Sequence, residues 1–282
     1  MSASPMSRRL AISNIAWARE PLEPYLDLIR GEGVHGVELA ASLIWEEPVD
    51  ASPEQRRSFR QLIADHGLQI TGLHSLLFSR PELQLLAEGK GGTEVRDYLN
   101  ALVDLCADLG AKYLVLGGSK NRRRGALSVD QANEKAVEIL RQLGQHAADR
   151  KCYFVLEALP PPVCDFLMNL DECAELCDIT RSPGIRYQFD TGAAEQTEAK
   201  TSDESLIRHM KSIGHFQVND FELLAPGSKN PKAHERWSRL LDASGYSGWI
   251  GIEMRKPAGP DLSAGIRDAI RFVRRNYKFI EA

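Results

Sequence analysis

The sequence predicts a closed (β/α)8 TIM barrel, eight parallel strands ringed by outer helices, and three observations predict it. Short β-branched runs alternate eight times with longer amphipathic stretches that carry one charged face. Strands that alternate with helices run parallel, because each crossover helix returns the chain to the same end of the sheet. A doubly wound open sheet is the structural alternative, but it usually places a glycine-rich phosphate turn after its first strand; Ser13-Asn14-Ile15-Ala16-Trp17 is no such turn.

The elements follow in order. Residues 10–15 and 36–39 form the first two strand-like runs. Ser52, followed by Pro53 and Glu54, reads as the N-cap of a helix over 52–66, and Gly67 as its stop. The third run, 69–74, ends on His74; a helix over 93–109 follows and stops at Gly110. The fourth run, 112–116, opens into a glycine-rich basic loop, and Ser128 with Asp130 caps a helix over 128–150. The last four runs are 152–157, 185–190, 215–219 and 249–253. No linker or low-complexity tract interrupts them, so a single domain over 1–282 is expected.

Composition narrows the function. With 282 residues, 43% of them hydrophobic, the chain is long enough to bury one large core or two smaller ones. A formal charge of −4 without long runs of like sign argues against a partner such as nucleic acid or an anionic membrane. The five cysteines, Cys106, Cys152, Cys164, Cys173 and Cys177, are odd in number and lie mostly in regular segments, which suits a reducing cytoplasm. Cys173 and Cys177, four apart on one helix, read as apolar thiols in preference to a metal pair. The N-terminal residues 1–9 lead into a run containing Ser13 and Asn14, unlike a secretory leader, and no apolar stretch approaches the ~20 residues of a membrane span. Trp45, Phe78 and Trp237 are expected at the surface, leaving room for a homo-oligomer.

In a parallel barrel the C-terminal strand ends converge on one mouth. Those ends carry Glu38, His74, Glu157, Asp190, Gln217 with Asp220, and Glu253. Glu157, Asp190 and Glu253 each close an otherwise apolar strand, and three carboxylates crowded in one mouth would repel unless a divalent cation lay among them. Oxygen donors without thiolate favour Mn²⁺ or Mg²⁺, with Zn²⁺ kept as a further choice. Singly, each carboxylate reads as a cap or an ion pair; together, at the ends of strands five, six and eight, they read as a metal site. His74 is placed at the mouth, to hydrogen-bond a substrate oxygen or carry a proton. Lys120, Asn121 and Arg122 in the basic loop, with Arg255 beyond the eighth strand, are candidate anion contacts, whereas Arg123 and Arg124 read as solvated. His234 is a weaker candidate for substrate binding, against the bland reading of a solvated first-turn residue.

At these residues the chain resembles the xylose isomerase-like TIM-barrel family, which includes sugar isomerases and epimerases, dehydroshikimate dehydratase and a class of apurinic repair endonuclease. The resemblance runs from Ile12-Ser13-Asn14-Ile15-Ala16-Trp17 through Gly36-Val37-Glu38 to Gly248-Trp249-Ile250-Gly251-Ile252-Glu253-Met254. It implies a metal held by Glu157, Asp190, a seventh-strand residue and Glu253. The family's seventh-strand ligand is usually a histidine; here His215-Phe216-Gln217-Val218-Asn219-Asp220 puts Gln217 in that position, with His215 as the alternative donor one layer deeper. A second departure is Ala193, where many epimerases carry a further histidine, and the histidines of a three-metal endonuclease are missing.

The resemblance implies a divalent-metal-dependent sugar or sugar-phosphate isomerase or epimerase. Proton transfer would occur beside a chelated carbonyl, with Glu157 and Glu253 as the proton-carrying carboxylates on opposite sides of the substrate. His215 is expected among the substrate contacts. Two other readings stay in competition: a metal-dependent lyase or dehydratase, favoured by Gln217 and disfavoured by Ala193, and a barrel that binds a ligand without turning it over.

Overall fold

A computed structural model describes residues 8–279. The eight strands β1 (Arg9–Ser13), β2 (Gly36–Ala40), β3 (Gln69–His74), β4 (Tyr113–Leu116), β5 (Tyr153–Leu156), β6 (Ile185–Asp190), β7 (His215–Val218) and β8 (Trp249–Ile252) are all parallel and close in sequence order, β8 pairing with β1. Among the described residues the helices are α1 (Leu22–Gly31), α2 (Pro53–Asp65), α3 (Gly89–Asp108), α4 (Val129–Asp149), α5 (Leu170–Thr180), α6 (Thr191–Thr197), α7 (Asp203–Ser212), α8 (Pro231–Ser244) and α9 (Leu262–Asn276). Residues 1–7, on which the reading of the N-terminus partly rested, lie outside the described residues. No helix among those described is long and apolar enough to cross a membrane.

Local chemistry accounts for the ends. Ser52 and Ser128 both form complete capping boxes, with Gln55 and Gln131 returning the bond. The first strand stops at Ser13, two residues sooner than its apolar run, because the Ser13 hydroxyl accepts from the Ile15 N–H and starts a 3₁₀ turn over Asn14–Trp17. Helix α3 begins at Gly89, four residues before Thr93, despite three glycines in its first turn. Asp190 ends β6 and caps α6, a short helix absent from the simple alternation, by accepting from the Ala193 N–H at 2.8 Å.

The strand period of two sorts side chains between two environments. Phe154, Leu156, Tyr187, Phe189, Phe216, Val218, Ile250 and Ile252 point outward and join the main apolar core under the helices. Tyr113, Val115 and Val155 form a separate small cluster inside the barrel. Continuing the inward set along each strand leads to Gly117, Glu157, Asp190, Asn219 and Glu253 at the mouth. Cys106, Cys152, Cys164 and Cys173 are buried free thiols and Cys177 is partly so. Of the three aromatics expected at the surface, Phe78 is 83% exposed, but Trp237 is core at 2% because α8 turns it against Phe189, and Trp45 is half-buried against Phe59.

Candidate active site

Glu157, Asp190 and Glu253 each bring a carboxylate oxygen to one place, all three within 4.8 Å of one another. Two of them stand one residue beyond a strand, where the backbone leaves the ladder but the side chain keeps the inward phase. Gly117 makes room for the first: a Cβ there would lie 1.7 Å from Glu157 Oε2. The donors are all hard oxygens, and no thiol joins them.

The electrostatics of this cluster are those of like charges brought together. Loss of water, then the charges of Asp190 and Glu253, push the Glu157 carboxyl well above the ordinary range, against the pull of Arg122 and a hydrogen bond from Gln188. Burial and the Glu253 charge push Asp190 up to about 7, although the Ala193 N–H and the Asn219 amide favour its anion. Asn219 donates from Nδ2 to Asp190 Oδ2 at 2.7 Å. Sequence reasoning passed over this residue, although the period that links His215 to Gln217 leads on to it.

His74 does not line the cavity. At 1% exposed it lies behind Glu253, with Nδ1 2.9 Å from Glu253 Oε1 and Nε2 2.6 Å from Ser13 Oγ. Burial lowers its pKa, but the hydrogen bond and charge of Glu253, with the charge of Glu38, carry the net shift upward. The structure thus places His74, expected at the mouth, behind Glu253 with both ring nitrogens in contact with protein groups.

A second polar layer sits beneath the mouth. Glu38 accepts from Tyr113 Oη at 2.9 Å and from Gln217 Nε2 at 2.9 Å, and lies 2.8 Å from His215 Nε2. These residues belong to β2, β4 and β7, which are not neighbours, so the contacts cross the lumen. Gly251 leaves the space, since a Cβ there would lie 1.7 Å from Glu38 Oε1. His215, expected among the substrate contacts, is fully buried beside Glu38 and stacked on Tyr113 at 4.1 Å, and it is not among the residues of the cavity wall. Gln217, register partner of Asp190, donates to Glu38 and accepts from Gln188 Nε2 at 2.6 Å.

A cavity of about 520 Å³ opens above the triad, and Glu157, Asp190, Asn219, Ala193 and Glu253 reach its wall. Of the predicted substrate contacts, the structure brings Lys120 and Asn121 to that wall. Asn121 is buried there, its Nδ2 donating to Arg80 O and Leu83 O, so its amide ties the β3–α3 loop to the β4–α4 loop. Arg122 is 2% exposed and lies behind the wall, where its charge acts on Glu157. Arg123 and Arg124 donate to Val163 O and Asp165 O. Arg255 is exposed and off the wall, holding Leu223 O through its backbone N–H. His234 is fully buried between Asp220 Oδ1 at 2.7 Å and Tyr277 Oη at 2.8 Å; it supports the β7–α8 loop and neither reaches the cavity nor stands solvated.

The profile of the Xylose isomerase-like TIM barrel family matches residues 26–276. A search of curated proteins finds no match by sequence. Solved structures share the architecture at low identity. The apo form of the 3-keto-D-glucoside 4-epimerase YcjR from E. coli superposes with a TM-score of 0.79 at 18% identity, over 95% of this chain and 100% of that one. D-psicose 3-epimerase from Clostridium cellulolyticum H10, solved with D-tagatose, gives 0.79 at 16%, over 95% and 99%. The IOLI protein, solved with a zinc atom bound, gives 0.69 at 17%, over 95% and 96%.

Proposed function

The chain belongs to the xylose isomerase-like TIM-barrel family, and from that premise we propose that it is a divalent-metal-dependent sugar isomerase or epimerase that moves a proton beside a carbonyl. The observation that carries the reading is the convergence of Glu157, Asp190 and Glu253 in a cavity wall, where the pKa values of Glu157 and Asp190 are pushed upward. Three carboxylates, each a hard oxygen donor, fit Mn²⁺ or Mg²⁺, and Zn²⁺ as well. Gln217 is the proposed fourth donor: its amide oxygen, already accepting from Gln188, keeps a second lone pair, and Glu38 holds the amide nitrogen on the other side.

When bound, the ion supplies Lewis acidity toward the substrate's carbonyl and neighbouring hydroxyl oxygens. The protein's own groups then do the proton work. Glu157 and Glu253 come from β5 and β8, with β6 and β7 between them, so one takes the proton from the carbon beside the carbonyl and the other returns it from across the site. His74, tied to Ser13, fixes the Glu253 carboxylate for that role. Ala193 places a methyl group on the wall after Asp190, leaving the proton transfer to the two glutamates.

The test is isotope exchange. Protein loaded with Mn²⁺ and incubated in D₂O with a panel of ketoses and keto-glycosides is expected to place deuterium beside the carbonyl, and Glu157→Gln or Glu253→Gln to reduce exchange by roughly 10²–10⁴-fold. Growth of a conjugated-enone absorbance instead would reassign the site to a lyase. Absence of both reactions with metal bound would leave a binding barrel.

A further inference from the structure

We propose that the rim of this cavity is a subsite for an apolar group, so that the compound bound at the carboxylates is an aryl or alkyl glycoside with a ketone on its sugar ring and not a free sugar or a sugar phosphate. The inference rests on the reading of the triad as a site for a hydroxy-carbonyl compound and names which class of that compound it takes.

The first observation is where the apolar side chains stand. Six large hydrophobics are exposed among the described residues, and three of them, Phe78 at 83%, Val163 at 38% and Leu223 at 36%, line this one cavity. Pro81, Leu159 and Phe221 join them. They come from three separate loops, following β3, β5 and β7, so sequence adjacency does not explain the cluster. Apolar side chains left to water around a polar floor mark a place where an apolar group is received.

The second observation is the backbone that aims them. Glu222 and Leu223 take φ of 67° and 56°, and Ser75, at the start of the Phe78 loop, takes 53°. For residues other than glycine this left-handed region is unfavourable, and it persists where the surroundings hold it. Here Asp220 and Leu224 exchange two backbone hydrogen bonds at 3.1 and 3.0 Å, closing a tight turn over Phe221, Glu222 and Leu223. Asp220 in turn accepts from Gly227 N, Asn230 N and His234 Nε2. The loop is built to present Phe221 and Leu223 to the cavity.

Charge decides against a phosphate. Lys120 is the single cation among the lining residues, which include four carboxylates, Glu157, Asp190, Glu222 and Glu253, so that even with a divalent ion at the triad the lining has no surplus of positive charge. The arginines of its own loop stand away from this wall: Arg122 is buried behind it, and Arg123 and Arg124 donate to backbone carbonyls. Size agrees, because a free hexose of twelve non-hydrogen atoms displaces roughly 200 Å³, well below the 520 Å³ present.

The experiment is calorimetric titration of the Mn²⁺-loaded protein with phenyl 3-keto-β-D-glucoside, its methyl counterpart and D-fructose 6-phosphate. The phenyl compound is expected to bind at least tenfold tighter than the methyl one, as burial of one ring predicts. Phe78→Ala is expected to bring that ratio near two, and Ile179→Ala, an exposed apolar residue outside the cavity, to leave it intact. Equal affinities, a ratio that survives Phe78→Ala, or tighter binding of the phosphate would overturn the subsite. So would a concentration-dependent dimer that Phe78→Ala dissolves, which would assign the rim to a second copy of the chain. Deuterium exchange in the same samples reports on the reaction separately: a phenyl preference without exchange sinks the reaction and keeps the subsite, and exchange without the preference does the reverse.

Discussion

Glu38 and Asp190 are two carboxylates inside one barrel, 0% and 7% exposed, and their acidities move in opposite directions. Burial raises the pKa of both. At Glu38 the charge and hydrogen bond of His215, followed by the His74 charge and the Gln217 amide, overcome that effect and bring it down to about 2. At Asp190 the neighbouring charge is another carboxylate, and the value climbs to about 7. The lower layer therefore gathers protein donors around one carboxylate, whereas the upper layer gathers three carboxylates around one point. On the proposed reading, stability is concentrated in the one and metal affinity in the other.

Glu38→Gln breaks the comparison most severely. With one carboxylate oxygen replaced by an amide nitrogen, Tyr113 Oη, Gln217 Nε2 and His215 Nε2 are left buried around a single acceptor oxygen, and a loss on the order of 3 kcal/mol is expected from urea unfolding of the metal-free protein. Glu157→Gln in the same assay relieves like-charge repulsion and is expected to leave stability unchanged or slightly higher. A similar loss from both variants would show that the two layers do not differ as described.

Gly117→Ala sharpens the contrast from the other side. The added methyl would fall 1.7 Å from Glu157 Oε2, so the carboxylate must swing away while the fold is retained. Mn²⁺ affinity is expected to fall on the order of 10–100-fold, the range for disturbing the support of a ligand, with little change in unfolding. Unaltered affinity would mean that Glu157 does not need the position it occupies.

Asp220 offers the smallest effect and a test of sign. Burial raises its pKa, but the His234 hydrogen bond and the N–H groups of Gly227, Lys229 and Asn230 lower it to about 2 from an ordinary 3.8. A depressed carboxyl stabilises above its unfolded value and loses that contribution as pH falls through the folded one. Relative to Asp220→Asn, the wild-type chain is expected to gain about 2 kcal/mol at pH 7, declining from near pH 4 toward pH 2. A pH-independent difference would remove Asp220 as the charged anchor of the rim loop.

The three carboxylates were legible because each terminates an apolar run, a local signal that survives without knowledge of neighbours. The barrel was legible from the same alternation. His215 was harder: its partner Glu38 lies 177 positions away and across the lumen, so only closure of the sheet reveals the pair. His234 and Arg122 have residue types that suit substrate contact, but packing of α8 encloses the first and the turn over Ser119–Asn121 directs the second behind the wall. The apolar rim is assembled from three loops whose approach no periodicity encodes.

The account turns on whether the upper layer takes a divalent cation, and calorimetric titration of Mn²⁺ into the metal-free protein between pH 5.5 and 8 tests this directly. One ion per chain is predicted, bound more tightly as pH rises through about 7, with protons released on binding, because Asp190 holds a proton below that value in the metal-free state. The same raised pKa makes the metal-free fold lose stability as pH climbs from 3.8 toward 7, so stabilisation by Mn²⁺ is predicted to grow over that range. Absence of binding throughout, or binding indifferent to Glu157→Gln and Glu253→Gln, would contradict the account.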